Sequence, residues 1–211
     1  FLMFSGNSDK IMEYIINVII TVVAAVIIFY GIRFLESQIG ALKSWNYAFS
    51  IYNMGAYEQS IKEYKKSLPV IKYNGDFLTN YGKALSMAGE HEKAIKILQE
   101  AARYFPNAVV YTALGDSYKA TGQNTKAESA YLHAWYMNPN RFYPKYLLTK
   151  LYDETGQKTK AIVTAKELLK KEIKIRSTAV KEIIEEMQVI IKRYEVKATL
   201  HKNIKLLYNY Y

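Results

Sequence analysis

The chain has 211 residues, half of them apolar, enough for one ordinary domain with an appendage and too apolar for a disordered or low-complexity segment. It contains no cysteine, which excludes disulfide frameworks, cysteine zinc sites and thiol chemistry. The net charge of +10 belongs to the part after residue 32: the first 32 residues hold one base and two acids, whereas residues 156–211 hold 13 Lys and Arg against 6 Asp and Glu.

The opening FLMFSGNSDK sets four apolar residues before a polar stretch. Residues 5–10 read as a short turn. Residues 1–13 are then either the end of a preceding membrane segment with its loop or an arbitrary apolar stub. Residues 14–32, YIINVIITVVAAVIIFYGI, carry no charge and are bounded by Glu13 and Arg33. As a helix this run spans about 28 Å, close to the hydrocarbon thickness of a bilayer. It has no polar face, as a soluble core helix would, so a transmembrane helix is expected over residues 14–35. Asn17 and Thr21 lie one turn apart and are available to a neighbouring helix. A cleaved leader is disfavoured, because the preceding residues are not positive and no small-x-small site follows. Lys10 precedes the run while Arg33 and Lys43 follow it, which puts the remainder on the cytoplasmic side.

Beyond residue 40 one skeleton recurs. Glycines that open a turn stand at Gly55, Gly89, Gly122 and Gly156, at spacings of 34, 33 and 34. Two helical turns precede each, and a helix follows whose early small residue is Ser60, Ala94, Ala127 or Ala161. Small residues at Ala48, Gly82 and Gly115 let paired helices approach, and Tyr47, Tyr81, Leu114 and Leu148 fill the ridge beside them. Pro106 and Pro139 stop the second helices of the middle units. This spacing and residue choice resemble the tetratricopeptide repeat, a helix-turn-helix unit. The resemblance implies four units over residues 41–175, at about 41–74, 75–107, 108–141 and 142–175. Unit four departs from it, with Thr149 for the small residue, Ala165 for the aromatic, Leu168 for the alanine and no closing proline. Residues 176–211 form a capping helix and basic tail. Ser177 or Thr178 starts the helix; Val180, Ile183, Ile184, Met187, Ile191 and Tyr194 give its apolar face, and Glu182, Glu185, Glu186, Lys192 and Arg193 its polar outer side. The tail LHKNIKLLYNYY reads as a last short helix, a loose end or a membrane-surface segment. The expected fold class is all-α: one transmembrane helix, a four-repeat α-solenoid and a C-terminal capping helix.

Little here supports chemistry. His91, His133 and His201 are at no metal-ligand spacing, no glycine-rich phosphate loop is present, and no nucleophile, base and orienting partner can be assembled. No catalytic residue, cofactor or metal is expected. The basic excess suits anionic lipid headgroups beside a membrane better than nucleic acid, since no ordered aromatic series accompanies it. Binding remains, of a protein or peptide in the concave groove that the first helices of the repeats line. The repeat implies groove positions at Trp45, Phe49, Tyr52 and Asn53 in unit one, Thr79, Lys83 and Met87 in unit two, Thr112, Asp116 and Lys119 in unit three, and Tyr146, Lys150 and Asp153 in unit four. For Trp45 and Phe49, packing on the membrane helix or on the linker that follows it weighs equally with ligand contact. The Lys and Asn set by which related domains clamp a C-terminal carboxylate is not reproduced.

An apolar helix, four such repeats and a helix starting near KIRSTAVKEIIEEM together resemble the C-terminal part of bacterial O-antigen ligase or polymerase family membrane proteins, most specifically over residues 84–190. That resemblance implies an inner-membrane glycan-assembly protein whose transfer chemistry resides elsewhere, with these repeats as a scaffold. The alternative is a stand-alone, single-pass repeat adaptor with no enzyme attached.

Overall fold

The computed structural model describes residues 5–171 and 177–208, and side chains over 10–171 and 177–196. Among the described residues all regular structure is helical, in nine helices: α1 (Ser5–Asn53), α2 (Tyr57–Ile71), α3 (Gly75–Met87), α4 (His91–Tyr104), α5 (Ala108–Ala120), α6 (Asn124–Met137), α7 (Phe142–Glu154), α8 (Lys158–Leu169) and α9 (Thr178–Tyr208). Consecutive helices pair as hairpins, and the pairs stack in order into a solenoid.

The four turn glycines are the hinges of the hairpins. Gly55, Gly89, Gly122 and Gly156 have φ of +82°, +80°, +73° and +72°, a region L side chains rarely adopt. Each turn closes by the same backbone bond back to the first helix, from Ala56, Glu90, Gln123 and Gln157 N–H to the carbonyls of Ile51, Leu85, Tyr118 and Tyr152. Asn74 and Asn107 cap α3 and α5: Asn74 Oδ1 accepts from Phe77 N at 2.9 Å, and Asn107 Oδ1 from Val109 N and Val110 N at 2.9 and 3.1 Å. A cap of this kind is worth about 1 kcal/mol. Arg141 holds the same slot before α7, with no side-chain cap bond.

Within each hairpin one contact sets the helix separation, and the four units solve it differently. A Cβ on Gly82 would lie 2.5 Å from Leu98 Cγ, and one on Gly115 would lie 2.3 Å from Tyr131 Cε1. Unit one sets Ala48 against Tyr64, and unit four inverts the sizes, Thr149 on α7 and Ala165 on α8, all four buried. The small residue thus sits on the second helix of unit four, which keeps the hairpin despite departing from the repeat pattern. The apolar interior divides into two clusters. One gathers Tyr64, Phe77, Tyr81, Leu85, Leu98 and Leu114 of units one to three; the other gathers Tyr131, Leu148, Leu151, Leu168, Met187 and Ile190.

Two expectations are corrected at the ends. Residues 5–10 are the first turns of α1, not a turn before it; a helix extends at one hydrogen bond per residue once nucleated, so the long apolar run carries it outward. Nor does a joint separate the apolar run from unit one. α1 is a single helix of 49 residues, about 74 Å long, whose last three turns are the first helix of the first hairpin. It contains a stretch long and apolar enough to cross a bilayer. Inside that stretch the Thr21 hydroxyl donates to the Asn17 carbonyl at 2.8 Å, so this polar group is satisfied within its own helix. At the other end, Ser177 Oγ accepts from Val180 N at 3.3 Å and starts α9, which runs on as helix through Tyr208. α9 packs on α8 and, along its edge, on α7, the relation that α5 bears to α4 and α3. Met187 and Ile190 are its buried contacts.

Candidate functional site

The first helices of the hairpins lie side by side, and the surface they share is open at one end and bridged at the other. The open end is a cleft of about 350 Å³ lined from α1, α3, α5 and the start of α7. Tyr52, Lys83, Met87, Thr112 and Asp116 line it, as do Ser86, Val109, Ala113, Arg141, Tyr143 and Pro144. Its apolar lining comes from Met87, Val109, Ala113 and Pro144. Lys83 Nζ stands 5.5 Å from the centre of the Tyr52 ring, and neither Lys83 nor Arg141 forms an ion pair among the described residues. Asp116 accepts from the Tyr131 hydroxyl at 2.7 Å. Burial holds its carboxyl above the usual range, against the opposing pull of that hydrogen bond and of Lys119.

At the other end the polar groups are spent on one another. Lys119 pairs with Glu154 at 2.7 Å, joining α5 to α7. Glu186 of α9 accepts from the Tyr146 hydroxyl at 2.6 Å and pairs with Lys150 at 3.0 Å. Asp153 takes Arg193 at 2.8 Å and the Tyr194 hydroxyl at 2.6 Å. Burial acts to raise the Glu186 carboxyl, but the bonds from Tyr146 and Lys150 outweigh it and leave the group below its ordinary range.

The thirteen groove positions implied by the repeat thus separate. Tyr52, Lys83, Met87, Thr112 and Asp116 come together in the open cleft. Lys119, Tyr146, Lys150 and Asp153 are tied into the bridges. Thr79 is buried, its hydroxyl bonded to the Gly75 carbonyl at 2.7 Å, on the wall of an adjoining cleft beside Asn107. Trp45 stands edge-on to Phe77 with ring centres 5.7 Å apart and belongs to the interior, while Phe49 stacks on Tyr52 at the rim and Asn53 is exposed. The repeat reading missed Val109, Tyr143 and Arg141. The period held the signal: Tyr143 follows Val109 by one repeat, and Arg141 occupies the slot that Asn74 and Asn107 use for capping. Among the described residues no three His, Cys, Asp or Glu side chains gather as metal ligands.

Residues 42–107 match the family described as YpiA-like, C-terminal tetratricopeptide repeats, and residues 108–141 match the tetratricopeptide repeat. Residues 42–141 are tetratricopeptide repeats. No curated protein matches the sequence. Among solved structures the chain is similar to MamA, with 21% identity over 79% of this chain and 87% of that one and a TM-score of 0.64. It is similar also to the first repeat domain of Spaghetti (RPAP3) bound to an HSP90 peptide, with 20% identity over 56% of this chain and 95% of that one and a TM-score of 0.53. A third is the second repeat domain of human RPAP3 in complex with an HSP70 peptide, at 17% identity, 56% and 97% coverage and a TM-score of 0.50. At these identities the likeness is one of fold.

Proposed function

We propose that this protein is a membrane-anchored scaffold that holds a partner peptide in the open end of its groove, and that it performs no chemistry there. The observation that carries this reading is the cleft at Lys83 and Arg141, an apolar lining flanked by two cations that form no ion pair among the described residues, while the one carboxyl group of the cleft, Asp116, is engaged by the Tyr131 hydroxyl. In a half-enclosed site such cations favour an acidic group beside an apolar side chain on the ligand. Arg141 strengthens the reading, because it occupies a capping slot without capping. The helix start forgoes about 1 kcal/mol there, and the guanidinium is left facing the cleft. The peptide complexes of the two RPAP3 domains give the precedent for a peptide on this fold.

The anchor is the apolar part of α1 over residues 14–32, in a bacterial inner membrane with the repeats cytoplasmic. The basic C-terminal quarter lies against anionic headgroups. The larger setting we favour is a multi-pass glycan-assembly protein of the O-antigen ligase or polymerase kind, for which these repeats are the recruiting part; the stand-alone adaptor differs from it in having no membrane helices upstream in its reading frame. Two measurements test the scaffold. Tyr52→Ala, Lys83→Ala and Arg141→Ala together should abolish binding of acidic, apolar peptides without loss of helicity, and unchanged binding would refute the assignment. The full chain should float with vesicles containing anionic lipid, and a chain left in the soluble fraction would refute the anchor.

A further inference from the structure

The segment of α1 between the bilayer-length run and unit one differs from both. Residues 14–32 are apolar all round. From Arg33 onward the helix has a polar side and an apolar stripe, with the exposed Phe34 on neither. Arg33, Glu36, Ser37 and Gly40 occupy one side. On the other, Leu35, Ile39 and Leu42 continue the line of Ile28 and Ile32, at spacings of four, three, four and three. These five side chains are 45–62% exposed. For Leu35, Ile39 and Leu42, beyond the bilayer-length run, lipid does not account for a stripe that faces a polar side; a packed helix does. Nor does the solenoid cover it. α2 runs back along α1 only to the level at which the Ser67 hydroxyl donates to the Ala41 carbonyl, at 2.8 Å, and ends one turn later at Ile71.

We propose that this stripe pairs, parallel and in register, with the same stripe of a second copy of the chain. Spacings of three and four repeated along one line are what a two-stranded seam requires. Asn46 continues the line at the kind of position where a single buried Asn sets register in such seams. In register the flanking residues meet as Gln38 against Lys43 and Gly31 against Glu36, so no like charges oppose each other. Two copies anchored in one bilayer present the stripe at the same height and in the same direction, which fixes the pairing as parallel; for this orientation the inference rests on the anchor proposed above. Pairing ends at Asn46, in the first turns of unit one. The slots that Phe77, Val110 and Pro144 fill against the preceding unit belong in unit one to Lys43, and those of Ala84, Ser117 and Leu151 to Ser50. Tyr47, in the slot of Tyr81, is the exposed aromatic beside these two polar positions, and the two grooves are held apart beside one short coiled seam.

Because the chain has no cysteine, single cysteines report the seam directly in the full-length protein in membranes. Leu35→Cys, Ile39→Cys and Leu42→Cys should each give an oxidised dimer, whereas Arg33→Cys, Glu36→Cys and Ser37→Cys should not. Adding Ile39→Asp to Leu35→Cys should remove its dimer. Dimer at none of the six positions, equal dimer at all six, or dimer at one stripe position alone, as an antiparallel pair gives, would overturn the proposal. Flotation of the same samples reports the anchor separately: stripe cross-links in a chain that fails to float support the pairing and contradict the anchor.

Discussion

Tyr64 and Tyr131 occupy the same position two repeats apart, both fully buried, yet one is anchored and the other is not. Tyr131 lies over Gly115 and donates to Asp116 at 2.7 Å. Tyr64 faces Ala48, and the slot of Asp116 is held in unit one by Phe49. Its hydroxyl is the one buried side-chain polar atom without a hydrogen-bond partner among the described residues. A repeat thus fixes where a side chain goes without fixing what it does. In unit three a core contact is joined to a group on the cleft wall, and in unit one the same contact is apolar packing with an unused hydroxyl.

The largest expected effect comes from filling the close approach that unit three needs and unit one does not. Gly115→Ala should destabilise the protein by about 1–3 kcal/mol, because the new methyl overlaps the anchored Tyr131 ring. A urea midpoint equal to that of the unsubstituted protein would show that the ring is free to move. Next, Tyr131→Phe should cost about 1–2 kcal/mol, since Asp116 loses its neutral donor in a partly buried place. A cost no larger than that of Tyr64→Phe would erase the contrast. Asp153→Ala should cost about 1 kcal/mol or less, as expected of partly exposed bridges, and should speed amide exchange in α9 more than in α3.

The smallest effect is the sharpest comparison. Tyr64→Phe should leave stability at neutral pH within about 0.5 kcal/mol, because no bond is lost. Its signature lies at high pH. Burial holds the Tyr64 hydroxyl above its ordinary pKa, with a lesser push from Tyr52, so the folded chain stays neutral there while the unfolded chain ionises near pH 10. Stability supplied by this group is complete below about pH 10 and falls as pH rises beyond it. Tyr64→Phe should flatten that alkaline decline, as read by thermal midpoints between pH 9 and 11. Glu186 has the opposite sign: its lowered carboxyl supplies stability above the ordinary range, near pH 4, which is lost on acidification. Glu186→Gln should make the acid limb shallower.

The fold was legible wherever the chain must do something only a few residues permit. Positive φ demands the four glycines, and close helix approach demands Gly82 and Gly115, so the period stands out in the sequence. The site was less legible because its occupancy depends on partners from elsewhere in the chain. Tyr146, Lys150 and Asp153 sit at proper groove positions, but Glu186, Arg193 and Tyr194 reach them only once α9 docks. Trp45 likewise satisfies the periodicity and is claimed by Phe77. Arg141 was hidden for the converse reason, since its slot is ordinarily a capping position.

The central claim is that the open end of the groove, and not the bridged end, does the binding. Fluorescence anisotropy with a library of acidic, apolar peptides tests it on the full chain, comparing Lys83→Glu and Arg141→Glu with Lys119→Glu. The account predicts peptides whose affinity falls about tenfold or more with the first two substitutions and changes little with the third, as charge reversal at a half-enclosed contact requires. Peptides that follow Lys119, or that bind equally to all three variants, would contradict it.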